Sequence, residues 1–269
     1  MASALRNEDI VRIGDDVHMV TGSDTNWVIV KDGDTAVLID TGYPGDRERL
    51  YASLAAVGVA PGAVAAVLIT HAHNDHLGSA EHLAVTHGTP VLMHQEEVPH
   101  ARRDFLHQVT IGQVLGQAWR RGVAPWALRA LRVGGTAHIP VSGPRAFAVG
   151  GPLDLPGAPV PVHSPGHTHG HCAYLLPGSG VLVSGDALVT AHPTSRVRGP
   201  QLLPGMFHTD RARALDSLSV FEAGETGETG ETSGVVDADV LVPGHGPPHR
   251  GSVKAAVAAA RERAEGRVR

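Results

Sequence analysis

The stretch VLITHAHNDHLGSA, Val67 to Ala80, carries an apolar run to Thr70 and then delivers His71, His73, Asp75 and His76 within six residues. A strand end sits at the rim of a sheet, where a loop can aim several side chains at one point. Two histidines one residue apart, on extended or tightly turned backbone, can both reach a single cation. Asp75 and His76 then lie beside it, available to a second cation or to a metal-bound water. Neutral imidazole and carboxylate are the ligands zinc accepts where cysteine is absent. A His-rich polar loop is the plain alternative, but the cluster ends an apolar strand abruptly, which favours metal.

Three later segments repeat the pattern of an apolar run that stops at a glycine-flanked ligand residue. VPVHSPGHTHGH offers His167, VLVSGDAL offers Asp186, and VLVPGHG offers His245. Glycine beside each lets the chain bend sharply enough to turn the side chain inward. One such residue alone would be a cap or a satisfied structural group. Four such strand ends in one chain argue for a shared site.

The elements that must position these residues can be traced in the same way. DVHMVTG and NWVIVKDGDTAVLIDTG read as strands, with a hairpin turn at Asp32-Gly33. DRERLYASLAAVG has helical periodicity and closes on Gly58. AAVLIT is continuously apolar, as a strand buried on both faces should be. LGSAEHLAVTHG predicts a helix and PVLMH a strand, so the order is that of an α/β layered domain. From 95 to 134 strand signals vanish, and FLHQVTIGQVLGQAWRRGV followed by PWALRALRVGG predicts two helices broken near Pro125. RAFAVGG, APVPVHS, CAYLLPGSGVLVSGDAL and DADVLVPGHG return to strand character. DRARALDSLSVFE and SVKAAVAAARERAEG predict helices, and GETGETGET a solvated loop. No linker divides the chain, so residues 1–269 are expected to form a single domain with a helical insertion at about 95–134.

Composition limits the classes of function. In 269 residues, 42% hydrophobic and 18% charged is an ordinary globular balance that excludes wholesale disorder. A net charge of −5 gives no reason to expect nucleic acid or an anionic membrane as partner. Eighteen histidines stand against one cysteine, so a disulfide framework and a cysteine zinc site are both excluded. MASALRNEDIVRIGDD lacks a signal-peptide core and no run is long enough to span a bilayer, which predicts a cytoplasmic protein.

Taken in order, THAHNDH, SPGHTHGH, SGDAL and VPGHG, with VLIDTG upstream, resemble the metallo-β-lactamase superfamily of metal hydrolases, from Trp27 to about Gly246. The resemblance implies a four-layer αββα sandwich with metals at one edge between two sheets. It implies His71, His73 and His167 on one metal, Asp75, His76 and His245 on a second, and Asp186 bridging both. Asp40 would order the ligand loops. His169 and His171 are expected either to support them or to be structural, and His163 and Cys172 to be structural.

The resemblance also implies two divalent metal ions, with zinc first and iron or manganese as alternatives, and a hydroxide shared between them as nucleophile. Asp75 would orient that hydroxide and move its proton. Asp186 and the missing signal peptide argue against a β-lactamase proper, and His73 argues against the redox branch. The chain ends soon after His245, without the C-terminal helical domain of glyoxalase II, which weakens a glutathione thioester. The expected substrate is a small acyl compound, a thioester or a lactone or other ester. A mononuclear-iron enzyme like persulfide dioxygenase and a non-enzymatic metal-binding protein are the alternatives. Trp119 and Trp126 in the 95–134 segment could wall the acyl pocket, or pack the segment onto the domain or into a homodimer contact.

Overall fold

The computed structural model describes residues 4–148, 151–222 and 238–266. GETGETGET lies outside the described residues. Twelve strands among the described residues form two sheets. The first holds β1 (Ile10–Arg12), β2 (Val17–Thr21), β3 (Asn26–Asp32), β4 (Thr35–Ile39), β5 (Val64–Leu68), β6 (Val91–Met93) and β7 (Arg145–Ala146), side by side in sequence order. It is antiparallel through β4 and parallel from β4 to β7. The second runs β12 (His249–Arg250), β11 (Val240–Pro243), β10 (Val181–Gly185), β9 (Cys172–Leu176), β8 (Val160–His163), with only β10 and β11 parallel.

Strand alternation sorts the apolar residues into three buried layers. Trp27, Ile29, Leu38 and Val67 pack outward against Leu50 and Leu54 of α1 (Arg47–Ala56) and Leu83 of α3 (Ala80–His87). Their neighbours Val28, Val30, Val37, Ile39 and Leu68 face the other way and meet Tyr174, Leu176, Val183 and Val242 between the sheets. On the far side, Leu175, Leu182 and Leu241 pack against Leu218 and Phe221 and against Val253, Val257 and Ala260 of α8 (Val253–Ala264). Three interfaces between four layers make an αββα sandwich, as the resemblance implied. Each fully buried Leu or Val side chain adds roughly 1.5–3 kcal/mol by leaving water, whereas Ser184, buried in β10, needs the hydrogen bond its hydroxyl donates to the Leu188 carbonyl.

Local predictions hold where the turn chemistry was explicit. The β3–β4 hairpin turns through Gly33 and Asp34, with Gly33 at φ +57°, one position later than Asp32-Gly33. Helix α3 ends on Gly88 in the left-handed conformation. A single helical turn, α2 (Asn74–Leu77), precedes it and carries Asp75 and His76.

The 95–134 segment departs from its prediction. It folds as α4 (Val98–Arg102), α5 (Ile111–Gly116) and α6 (Val123–Arg132). The expected helix over 105–123 shrinks to α5, which starts at a reciprocal cap between Thr110 and Gln113. Ahead of it, the His107 N–H donates to His100 and its carbonyl accepts from His73, so that backbone is committed to the site. The break falls at 117–122, with Gly122 at φ +90°, and not at Pro125. Pro125 sits in the first turn of α6, where its missing N–H has no partner to lose. Among the described residues of RAFAVGG, the strand covers only β7, followed by one further bond from the Phe147 N–H to the Met93 carbonyl. Among the described residues no helix is long and apolar enough to cross a membrane.

Candidate metal centre

The strand ends converge at one edge of the sandwich. His71, His73, Asp75 and His76 follow β5, His167 lies between β8 and β9, Asp186 follows β10, and His245 follows β11. Six of the seven are buried, and only Asp75 is partly open to solvent. Nε2 of His71 lies 3.0 Å from Nδ1 of His73, and Nε2 of His167 lies 3.1 Å from each. Three ring nitrogens aimed at one point can share few protons, and this spacing suits lone pairs on a single cation.

A second group adjoins the first. Oδ2 of Asp75 lies 3.8 Å from Nε2 of His76 and 3.5 Å from Nε2 of His245. Asp186 stands between the groups, with Oδ1 3.5 Å from His76 Nε2 and Oδ2 3.2 Å from His245 Nε2 and 3.5 Å from His167 Nε2. His76 Nε2 and Asp186 Oδ1 are buried and have no hydrogen-bond partner. Orphaned polar atoms of this kind are costly in a protein interior, and a divalent cation fits them. All seven residues singled out in the sequence therefore come together.

The far side of four of the five rings explains their orientation, while Nδ1 of His167 has no partner among the described residues. His76 Nδ1 donates to Asp40 Oδ2 at 2.8 Å, and His71 Nδ1 to Thr70 Oγ1 at 3.1 Å. Thr70 Oγ1 in turn donates to Asp40. His73 Nε2 donates to the His107 carbonyl, and His245 Nδ1 to the Asp24 carbonyl at 2.5 Å. In these four rings the proton is thus held away from the centre and the lone pair points into it. Asp40 reaches its place through a left-handed backbone, φ +63°, rare for a residue with a side chain. His171 accepts the Asp186 N–H at Nε2 and holds Ser164 at Nδ1, so it supports the Asp186 loop.

Electrostatics agree with a cation site. Burial, together with neighbouring imidazoles, holds His71 well below the ordinary histidine range. Burial likewise lowers His167, and His73 to about 4, keeping these rings neutral. Burial acts against a charged His76, yet Asp186, Asp40 and Asp75 together drive it up to about 10. Three carboxylates around one imidazole call for positive charge. Gly244 shows how tightly the groups are set, since a Cβ there would lie 2.2 Å from Asp186 Oδ1.

One supporting residue escaped sequence reading. Glu97 is buried, and its carboxylate accepts the Ala72 N–H at 2.8 Å, the Gly170 N–H at 3.0 Å and His100 Nδ1 at 3.1 Å. It therefore ties the His71–His73 loop to the His167–His171 loop. The only hint was an acidic pair in HQEEVPH, which reads equally as a helix start. His163 stacks on His94 with rings parallel within 9° at 4.0 Å. Their in-plane lone pairs cannot meet at one ion, so the grouping of His94, Glu96 and His163 does not resemble the main centre.

A cavity of about 380 Å³ opens over the donors. Its floor is His73, Asp75, His167, Asp186 and His245, and its walls include Ile111, Leu115, Trp126, Leu128, Leu131 and Phe207. No lysine or arginine lines it. Trp126 is 7% exposed and meets Phe207 edge-on at 5.2 Å, whereas Trp119 is 83% exposed and lies outside this cavity. Helix α6 is held over the centre by Arg129, which pairs at 2.7 Å with Asp24, whose carbonyl also holds His245.

Comparison with known proteins agrees with this architecture. The family model for the metallo-beta-lactamase superfamily matches residues 20–265. Metallo-beta-lactamase domain-containing protein 1 of Xenopus laevis is 28% identical over 243 residues, covering 88% of this chain and 76% of that protein. A hydroxyacylglutathione hydrolase of Methylobacillus flagellatus is 30% identical over 168 residues, 61% of this chain and 47% of that enzyme. Among solved structures, a metallo-beta-lactamase from Cronobacter sakazakii superposes with a TM-score of 0.65 at 15% identity, covering 96% of both chains. A metallo-beta-lactamase family protein from Thermus thermophilus gives 0.61 at 23%, covering 90% of this chain and 75% of that one. The chain belongs to the metallo-beta-lactamase superfamily.

Proposed function

We propose that this superfamily member is a dinuclear metal hydrolase that cleaves a small acyl compound, a thioester or a lactone or other ester, bearing an apolar acyl group. The observation that carries the reading is the convergence of seven donors beneath an apolar cavity. His71, His73 and His167 would hold one metal, Asp75, His76 and His245 the other, and Asp186 both. Two divalent cations, zinc foremost, supply Lewis acidity towards the carbonyl and acidify water when bound.

The chain's own groups do the rest. Trp126, Phe207, Leu128 and Leu131 receive the acyl group and exclude bulk water from the reacting carbon. Asp75, which lines the cavity and is the one donor partly open to solvent, orients the attacking water and accepts its proton. Water oxygen bonds to the acyl carbon, the C–S or C–O bond breaks, and Asp75 passes the proton to the leaving thiolate or alkoxide. Supporting this, the similar Methylobacillus protein is named a hydroxyacylglutathione hydrolase, a thioester-cleaving activity.

Metal analysis of protein purified without added metal, paired with a panel of thioesters, lactones and β-lactams, tests the reading. Two metals per chain and turnover of apolar acyl substrates are expected. One iron per chain with oxygen uptake would replace it with a persulfide-dioxygenase type of reaction. Absence of both metal and turnover would leave a binding protein.

A further inference from the structure

A second cleft, of about 560 Å³, adjoins the cavity over the metals, with Leu203 lining both. Closely spaced positions divide the two. Ala118 faces the apolar cavity and Trp119 the cleft, while His192 faces the cavity and Thr194 the cleft. Five arginines line the cleft, Arg120, Arg121, Arg196, Arg211 and Arg263, and no carboxylate does among the described residues. Arg121, Arg196 and Arg211 form no ion pair among the described residues. This is a local excess against the trend of the chain. Residues 102–132 hold six arginines and one aspartate, with Arg120 and Arg121 at the cleft, while the whole chain carries −5.

Guanidinium groups with no carboxylate among the described lining residues repel one another, and phosphate oxygens are their natural bidentate partners. Beside them Trp119 is 83% exposed, its Nε1 fixed by a bond to the Gly116 carbonyl at 3.2 Å. A fixed, open indole next to arginines offers a stacking face for a planar heterocycle. A glutathione moiety suits the cleft less well, because its ammonium group would find no carboxylate among the lining residues.

We propose that the arginine cleft binds the phosphates, and Trp119 the base, of a nucleotide-bearing thiol that carries the acyl group into the metal cavity. The substrate class is then an acyl thioester of a phosphorylated carrier such as coenzyme A. This rests on the hydrolase reading and deepens it. One half of the substrate is apolar and enters the wall of Trp126 and Phe207; the other is polyanionic and lies among the arginines.

The test uses the metal-loaded protein and two kinds of readout. Adenosine 3′,5′-bisphosphate, which has neither thiol nor acyl group, is titrated while tryptophan fluorescence is followed. Binding should quench Trp119 and weaken about tenfold or more in the triple variant Arg121→Ala/Arg196→Ala/Arg211→Ala. Octanoyl-coenzyme A should exceed the octanoyl N-acetylcysteamine thioester in kcat/KM by about a hundredfold. The triple variant should lose that excess yet keep its rate on the truncated thioester. Equal kcat/KM for the two thioesters, or bisphosphate binding indifferent to the three arginines, overturns the proposal. Tighter, arginine-dependent binding of single-stranded RNA than of the bisphosphate also overturns it, in favour of a nucleic-acid surface. If neither thioesters nor lactones and other esters are cleaved the hydrolase reading falls; if esters alone are cleaved that reading stands and the carrier-thioester proposal falls.

Discussion

Glu97 touches no donor ring, yet three of its contacts fix backbone or side chains that do. Burial alone would raise its pKa, but the hydrogen bond from His100 and the Ala72 amide bring it down to about 2 from 4.5. Such a group stabilises the fold fully above pH 4.5, and that contribution, on the order of 3 kcal/mol, is lost as the pH falls towards 2. Glu97→Gln should therefore flatten the acid limb of thermal stability between these values and weaken metal binding about 10- to 100-fold. Unchanged metal affinity, measured by competition with a chelator, would reduce Glu97 to a packing role. Gly244 makes a sharper case. Its added Cβ would meet Asp186 Oδ1 at 2.2 Å, so Gly244→Ala should fold but lose metal from at least one site. Retention of two metals in that variant would show that Asp186 has room to move and need not stand between the groups.

The 95–134 segment is where elements acquire distinct tasks. The loop ahead of α5 is bonded through the His107 backbone to His73 and His100, and the segment's two tryptophans point to different places. Trp126→Ala should raise KM for long or aromatic acyl substrates and leave small ones nearly untouched, a discrimination of about 1–3 kcal/mol. Metal content should not change. Equal loss for every substrate would make α6 architectural. Arg129→Ala, which frees α6 from Asp24, should loosen the same wall and show the same chain-length dependence more weakly.

Across the whole molecule the donors join two sheets. Four follow a strand of the first sheet, and three belong to strand ends of the second. Cations held there would pin the edge of the sandwich where the inter-sheet core stops. Removing metal with a chelator should lower Tm by several degrees, and adding zinc should restore it in proportion to the logarithm of free metal. Asp186→Ala should show a smaller shift and nearly abolish hydrolysis. A Tm indifferent to chelation, with metal shown to have left, would mean that the sheets are fixed by their core alone.

Much of this was legible in the sequence because the signals are local. An apolar run that stops at His71, a glycine before Asp186, and a glycine on each side of His245 are features of adjacent residues, and their physical meaning needs no knowledge of the rest of the chain. The same holds for strands buried on both faces, whose uniform hydrophobicity fixes their layer. Glu97 was not legible, since its role comes from amides more than twenty residues away on either side. The late start of α5 was missed because hydrogen bonds from the His107 backbone to His73 and His100 override helical propensity there. Least visible was the arginine cleft. Its residues are scattered from 120 to 263, and a net charge of −5 conceals them, because a sum over the chain cannot show which charges the fold brings together.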